Sequence, residues 1–103
     1  MSHKVRLDTN ALRDIDQQMA YFAVTEDLRH RIGDFEDDLL QRLDRIGSNP
    51  YLRREVYPDV RREALRVFRY HVWYRTYAGA DFVDVFAILH QVADRQAVVS
   101  RLR

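Results

Sequence analysis

Cysteine is absent from this chain of 103 residues, and lysine occurs once, at Lys4. Without cysteine, the chain can form neither a disulfide framework nor a thiolate zinc site, and it has no thiol nucleophile. Nothing therefore argues for an oxidising compartment, and the cytoplasm is the expected location. No residue pattern indicates a cofactor or a metal site.

Long hydrophobic runs are also absent. The longest apolar run, Val85 to Leu89, is far shorter than the roughly 18 residues that a membrane-spanning helix needs. The first residues, Met1 to Lys4, lack the apolar segment of a secretory signal. We therefore expect no association with a membrane.

Charge is distributed unevenly along the chain, although the formal net charge is only +1. Residues 1–50 contain seven Lys/Arg against ten Asp/Glu, whereas residues 51–103 contain ten against six. Sixteen of the seventeen cations are arginine, whose planar guanidinium suits carboxylates and phosphates. The second half is thus either a recognition surface for such groups or a solvated, strand-rich surface.

The first half predicts an edge strand and a helical hairpin. Val5 and Leu7 alternate with Arg6 before Asp8-Thr9-Asn10, residues that can cap a following helix. The expected apolar side of this first helix consists of Leu12, Ile15, Met19 and Phe22, which leaves Asp14 facing water. A second helix is expected from a cap at Thr25 to the stop at Gly47–Pro50. Its apolar positions are Leu28, Ile32, Phe35, Leu39, Leu43 and Ile46, and Gly33 indicates either close packing or a tolerated defect.

The second half changes to a strand-like pattern. The expected strands are Val60–Leu65, Phe68–Tyr77 and Phe82–Gln91, with Gly79 in the last turn. A short terminal helix over 94–103 is expected to be capped by Asp94, with Ala97, Val98 and Leu102 turned inward. The predicted class is α+β: an N-terminal edge strand and an antiparallel helical hairpin packed on one face of a small, mainly antiparallel sheet. A chain of this length fits one domain, 1–103.

The last hairpin can be followed residue by residue from its turn at Gly79 and Ala80. On the face that the helices should cover, the expected pairs are Tyr70–Leu89, Val72–Ala87, Tyr74–Val85 and Thr76–Val83. On the opposite face they are Arg69–His90, His71–Ile88, Trp73–Phe86 and Arg75–Asp84, the last as an ion pair. This register brings Arg69, His71 and His90 together, and a shift by one residue would separate them.

The order of elements and several short motifs resemble the RelE/ParE toxin superfamily. The motifs are Arg61-Arg62, Phe68-Arg69-Tyr70, Val72-Trp73-Tyr74-Arg75 and Val85-Phe86-Ala87-Ile88-Leu89-His90. One departure is Arg69, where many relatives carry proline. The resemblance implies a small growth-inhibiting toxin that is held by a cognate antitoxin, and its two branches attack different targets.

One branch cleaves messenger RNA on the ribosome. That reaction needs a general base, a general acid and cations on the phosphate. His71 and His90 are the candidates for base and acid, with Arg62, Arg69 and Arg61 as phosphate ligands. The sequence nevertheless lacks the late tyrosine and the lysine-rich patch that are usual in this branch, since no tyrosine follows Tyr77.

The other branch poisons DNA gyrase and is not enzymatic. The segment from Leu89 to Asp94 resembles the Leu-His-x-x-Met-Asp ending of ParE-type members, with Ala93 in place of methionine. A ParE-like gyrase inhibitor is therefore the favoured interpretation. Its expected target-binding residues are Arg61, Arg62, Arg69, His71, Trp73 and His90.

Simpler interpretations stay open for these residues. Both histidines could be hydrogen-bonded structural residues, and Trp73 with Phe86 could pack under the C-terminal segment. The chain could also be an inactivated toxin or a non-toxic adaptor. For an antitoxin, the available surfaces are the groove of the helical hairpin and the arginine-rich face of the sheet.

Overall fold

A computed structural model of the chain describes residues 2–93 and 95–102. The strands are β1 (Lys4–Leu7), β2 (Val60–Ala64), β3 (Tyr70–Thr76) and β4 (Phe82–His90). The helices are α1 (Thr9–Val24), α2 (Ile32–Ser48) and α3 (Arg95–Arg101), and a 3₁₀ helix spans Glu26–Arg31. Among the described residues, none of the helices has the length and apolar character needed to pass through a membrane.

The strands form one sheet in the order β1-β4-β3-β2. β1 is an edge strand that runs parallel to β4, and the other two pairings are antiparallel. This arrangement confirms the predicted α+β class. It also gives the sheet two faces with different covers, called here the inner face, under α1 and α2, and the outer face, under α3.

The inner face carries the larger core. Phe22, Phe35 and Ile46 of α1 and α2 pack on Val72 and Val85 of the sheet. The outer face carries a smaller core, in which Val98 of α3 packs with Trp73, Phe86 and Ala87. Val98 and Leu102 thus face inward as predicted, whereas Ala97 is exposed. The predicted cap at Asp94 lies outside the described residues.

Helix α1 begins where the sequence predicts, but the side of the helix that is buried differs from the predicted side. Asp8 caps the helix, because its Oδ1 accepts a hydrogen bond of 2.9 Å from the backbone N–H of Ala11. The buried side of α1 is centred on Ala11 and Phe22, so Leu12 is 49% exposed and Asp14 is buried. Both expectations, Leu12 inside and Asp14 outside, are therefore wrong.

The second helix also begins later than predicted. Thr25 makes no side-chain cap, and Leu28 donates its backbone N–H to the Thr25 carbonyl, which closes a 3₁₀ turn. Regular α-helix starts only at Ile32. Gly33 has no atom within 4 Å of the position that a Cβ would take, so it is a tolerated defect rather than a close contact.

A β-bulge divides the pairing of β3 with β4. Near the turn the register is the predicted one, with Tyr74 opposite Val85 and Thr76 opposite Val83. Beyond the bulge it shifts by one residue, so that Tyr70 lies opposite His90 and not opposite Leu89. The extra residue is Phe86, which lies between the partners of Tyr74 and Trp73.

The bulge reverses which residues of β4 face each side beyond Phe86. Ile88 joins the inner core, and Ala87 and Leu89 pack in the outer core. The predicted register for this part of the hairpin is therefore wrong. Its physical reason is that a bulge inserts one residue on one strand, which sequence periodicity alone does not reveal.

The connection between β2 and β3 is fixed by one buried carboxylate. Asp38 of α2 accepts backbone N–H bonds from Arg66, Val67 and Phe68 at 2.9, 2.8 and 3.1 Å. Because these donors point at one carboxylate, the turn is held against the helical layer. The position of Arg69 and the start of β3 follow from this contact.

Candidate target-binding surface

A cleft of about 220 Å³ opens between the outer face of the sheet and the start of α3. Its lining includes Arg62 of β2, His71 and Trp73 of β3, and Arg95 and Val98 of α3. These residues define the outer cleft. Among the described residues, its lining includes two arginines and no Asp or Glu.

Arg62 forms the sheet side of the outer cleft. It is paired in register with Trp73, and its guanidinium carbon lies 5.3 Å from the centroid of the indole ring. This cation-π contact orients the guanidinium but uses none of its N–H donors. Arg62 makes no ion pair with any residue in the described ranges, so those donors can bind an incoming carboxylate or phosphate.

Trp73 supports the cleft from below. It is only 4% exposed, and its ring packs with Val98 and Phe86 in the outer core. Of the two interpretations open from the sequence, packing under the C-terminal segment is the one observed for Trp73 and Phe86. Trp73 therefore does not present an exposed ring to a partner. Its role in the cleft is to orient Arg62 and His71.

His71 faces the same cleft. Its ring meets Trp73 edge to face, with centroids 6.2 Å apart. Partial burial lowers the pKa of His71 below its ordinary 6.5, and the charge of nearby Arg62 lowers it further. The imidazole is therefore neutral at pH 7, and it can accept or donate one hydrogen bond.

His90 reaches the outer cleft at its rim, but it does not follow the predicted register with His71. Its ring packs against Tyr70 of the neighbouring strand, with centroids 5.4 Å apart, and its Nδ1 accepts from the backbone N–H of Val92 at 3.3 Å. Since the bulge pairs His71 with Leu89, the two histidines occupy alternate positions of the pleat. His90 borders the outer cleft only at the strand end. The predicted register and the convergence of all three residues on one face are therefore wrong, but His90 shares the outer cleft with His71 and a neighbouring groove with Arg69.

Arg61 lies on the inner face, where it holds the structure together. Its side chain is almost buried and donates to the hydroxyl of Thr76, the carbonyl of Arg53 and the carboxylate of Glu55. The structure thus separates Arg61 from its neighbour Arg62, because successive residues of a strand point to opposite faces. Arg61 cannot contact a partner that sits in the outer cleft.

Arg69 also lies away from the outer cleft. It precedes β3, is exposed, and borders a different groove that includes Tyr21 and Arg31. The predicted ion pair between Arg75 and Asp84 is replaced as well. Asp84 binds Arg6 at 2.8 Å and accepts from the hydroxyl of Tyr77 at 2.8 Å. The hydrogen bond with Arg6 keeps the pKa of Asp84 below its ordinary value.

Arg95 is the cleft residue that sequence reasoning missed. It enters the cleft because α3 lies across the outer face, where Val98 and Leu102 bury their side chains. The inward spacing of Val98 and Leu102 was the available signal, since it requires a sheet surface beneath the helix. In the described part of the chain, no cluster of three or more His, Asp or Glu side chains could hold a metal ion.

The arrangement can bind an anionic group from two sides. Arg62 and Arg95 supply guanidinium donors from opposite walls, and neutral His71 supplies one further hydrogen bond. Among the described residues that line the cleft, His90 at the rim is the second imidazole, and the other polar groups are guanidinium, amide and indole groups. The described lining therefore offers mainly hydrogen-bond donors to an anion.

Comparison with known proteins identifies the fold. No family model matches the sequence, and no curated protein matches it significantly. A solved chain from the chromosomal ParDE TA system of P. aeruginosa is 14% identical, with a TM-score of 0.67, over 86% of this chain and 96% of that chain. A mutant of the E. coli toxin RelE in its free state is 18% identical, with a TM-score of 0.67, over 100% of both chains.

These two likenesses confirm the fold that the sequence motifs predicted. The chain has the fold shared by ParE and RelE toxins. Both structures match it with the same TM-score, so the fold alone does not separate the two branches.

Proposed function

We propose that this chain is the toxin of a type II toxin–antitoxin module and that it arrests growth by binding DNA gyrase, without catalysing a reaction. The shared fold of ParE and RelE toxins supports the toxin class. One observation carries the choice of target, namely the bulge at Phe86, which places His71 and His90 at alternate positions of the pleat and leaves His90 at the rim of the outer cleft.

Metal-independent cleavage of RNA needs a base on the 2′-hydroxyl and an acid on the leaving oxygen. In the outer cleft His71 can serve as the base, because its lowered pKa keeps it neutral. The expected acid, His90, is instead engaged with Tyr70 and with the backbone of Val92. Arginine cannot take this place, because it does not release its proton in proteins.

Binding of a partner protein without catalysis accounts for the cleft residues better than RNA cleavage does. A cleft whose described lining contains two arginines and no carboxylate can steer and hold an acidic surface of a partner protein. Arg62 is oriented by Trp73 and needs little further ordering to form a bidentate contact. The proposed target-binding residues are therefore Arg62, His71 and Arg95.

A RelE-type endoribonuclease acting on messenger RNA at the ribosome is the second candidate. The observation that favours it is neutral His71 beside Arg62 in a cleft large enough for a phosphate group. In that case His71 would take the proton of the 2′-hydroxyl. A ribosome-bound substrate or a ribosomal group would then have to supply the acid.

The test is induced expression of the chain alone, followed by measurement of growth, plasmid supercoiling and transcript integrity. The proposal expects growth arrest, relaxed plasmid and intact transcripts. Cleaved transcripts whose cleavage disappears in His71→Ala would establish the second candidate instead. Normal growth with a folded, expressed chain would indicate an inactivated toxin or an adaptor.

A further inference from the structure

A second concave surface lies between the end of α1, the 3₁₀ helix and the β2–β3 connection. It has a volume of about 350 Å³. The residues that matter for its chemistry are Tyr21, Leu28, Arg31, Val67 and Arg69. We call it the Arg31 groove, and among the described residues His90 alone lines both this groove and the outer cleft.

The Arg31 groove carries positive charge from Arg31 and Arg69. None of the described residues that line the groove is acidic. Within residues 2–93 and 95–102, neither Arg31 nor Arg69 forms an ion pair. The guanidinium of Arg31 lies 4.5 Å from the ring centroid of Phe68, so it is held in place while its N–H donors stay free.

Apolar side chains are exposed beside these cations. Tyr21 is 54% exposed and Val67 is 59% exposed, although both are large enough to belong in a core. Leu28 is partly buried below them. Exposed apolar groups that are bordered by unpaired cations are characteristic of a surface that another molecule covers.

The size and lining of the groove select the kind of occupant. A volume of about 350 Å³ admits one or two large side chains but not the face of a folded domain. Its aliphatic floor suits an apolar side chain, and its arginines suit carboxylates on either side of that side chain. An extended or helical peptide segment of acidic, amphipathic character satisfies both requirements.

We propose that the Arg31 groove binds an acidic, amphipathic segment of the antitoxin, with an apolar anchor between Tyr21, Leu28 and Val67 and carboxylates on Arg31 and Arg69. This inference rests on the proposed function, because it assumes that the chain has an antitoxin. The antitoxin would then hold the toxin at a surface next to the outer cleft, and His90 at their common border would come within its reach.

The binding probe is the protein encoded by the neighbouring reading frame, purified on its own. Co-purification of this protein with the chain shows beforehand whether the two form a complex. The Kd of the full-length chain for this protein is measured for wild type and for two matched pairs of variants. Arg31→Glu is paired with Arg45→Glu, an equal charge reversal at an exposed position of α2. Val67→Asp is paired with Leu40→Asp, whose wild-type side chain is exposed to a similar extent, 62% against 59%.

The proposal expects Kd to rise about tenfold or more for Arg31→Glu and for Val67→Asp, and to stay near the wild-type value for both controls. The Kd of wild type should also depend more steeply on salt than that of Arg31→Glu, because one charge contact is lost. Circular dichroism of each variant confirms that it is folded.

Several outcomes would overturn the proposal. One is an equal effect of each variant and its control, and another is absence of binding by the wild-type chain. A third is that the groove variants lose self-association or RNA binding while they still bind the antitoxin. Growth arrest by the wild-type chain alone tests the proposed function separately. A chain that binds through the groove but never arrests growth would leave the groove in place and remove the toxin assignment.

Discussion

Arg101, in the last turn of α3, donates to both carboxylate oxygens of Asp14 in α1, at 2.6 and 3.0 Å. The same carboxylate accepts the backbone N–H of Ile88 at 2.9 Å. β1 pairs with β4 only as far as Val85, so the edge of β4 is open at Ile88. The ion pair passes this open edge and joins the helix on the outer face to a helix on the inner face. It therefore fixes α3, and with it one wall of the outer cleft.

Arg101→Ala should lower the free energy of unfolding by about 2–3 kcal/mol, because it leaves the buried Asp14 carboxylate without its cation. The chain has a single tryptophan, Trp73, which lies under α3, so its fluorescence during urea denaturation reports the change. Arg95→Ala is the control, since it removes an exposed arginine from the same helix. Equal stability of the two variants would show that the Asp14 contact does not hold α3.

Asp38→Ala should destabilise the chain by about 3 kcal/mol, because three backbone N–H groups of the β2–β3 connection lose their acceptor. Asp37→Ala, at the exposed neighbouring position of α2, should change stability by less than about 0.5 kcal/mol. Thermal and urea unfolding curves give both values. A result in which the two variants match would contradict the role assigned to Asp38.

The chemical periodicity of the sequence was enough to predict the element order and the fold class. Val98 and Leu102 were correctly turned inward, and a helix cap was correctly expected within Asp8-Thr9-Asn10, because each depends on a short-range pattern. Asp14 was misplaced because a buried carboxylate looks like any other polar residue until its partners are known. Those partners, Ile88 and Arg101, are 74 and 87 residues away.

The candidate site was harder to predict than the fold. Arg62 and His71, two of the candidate residues, lie on one face because β2 and β3 pair without irregularity, a register that the sequence did not predict. The bulge at Phe86 then shifted the predicted register at His90, and no residue preference in the sequence marks that position. Arg69 was misplaced for a different reason, since it precedes β3 and does not follow the alternation of the strand.

The two glycines of α2 should respond in opposite ways to alanine. A Cβ at Gly47 would lie 2.9 Å from the carbonyl oxygen of His3 and 3.2 Å from Val5, so Gly47→Ala must displace β1 and should destabilise the chain by about 1–3 kcal/mol. Gly33→Ala meets open space and should stabilise it by up to about 1 kcal/mol. Unfolding curves of the two variants provide the comparison, and a loss of stability in Gly33→Ala would contradict it.

His71 should titrate with a pKa below 6.5, measurable from its imidazole resonances by NMR. Arg62→Gln should raise this pKa, because the nearby positive charge is removed, whereas Arg54→Gln should leave it unchanged. Below about pH 6.5 the unfolded chain binds a proton that folded His71 resists, so stability should fall as pH decreases from there toward the folded pKa. A pKa of His71 at or above 6.5 would contradict the buried position.

Supercoiling by purified DNA gyrase in the presence of the purified chain tests the central claim most directly. The account predicts that the wild-type chain inhibits supercoiling and that the double variant Arg62→Glu, Arg95→Glu loses most of this inhibition, while Arg13→Glu, Arg45→Glu keeps it. Full supercoiling activity at every concentration of the folded wild-type chain, together with cleavage of messenger RNA on translating ribosomes, would contradict it.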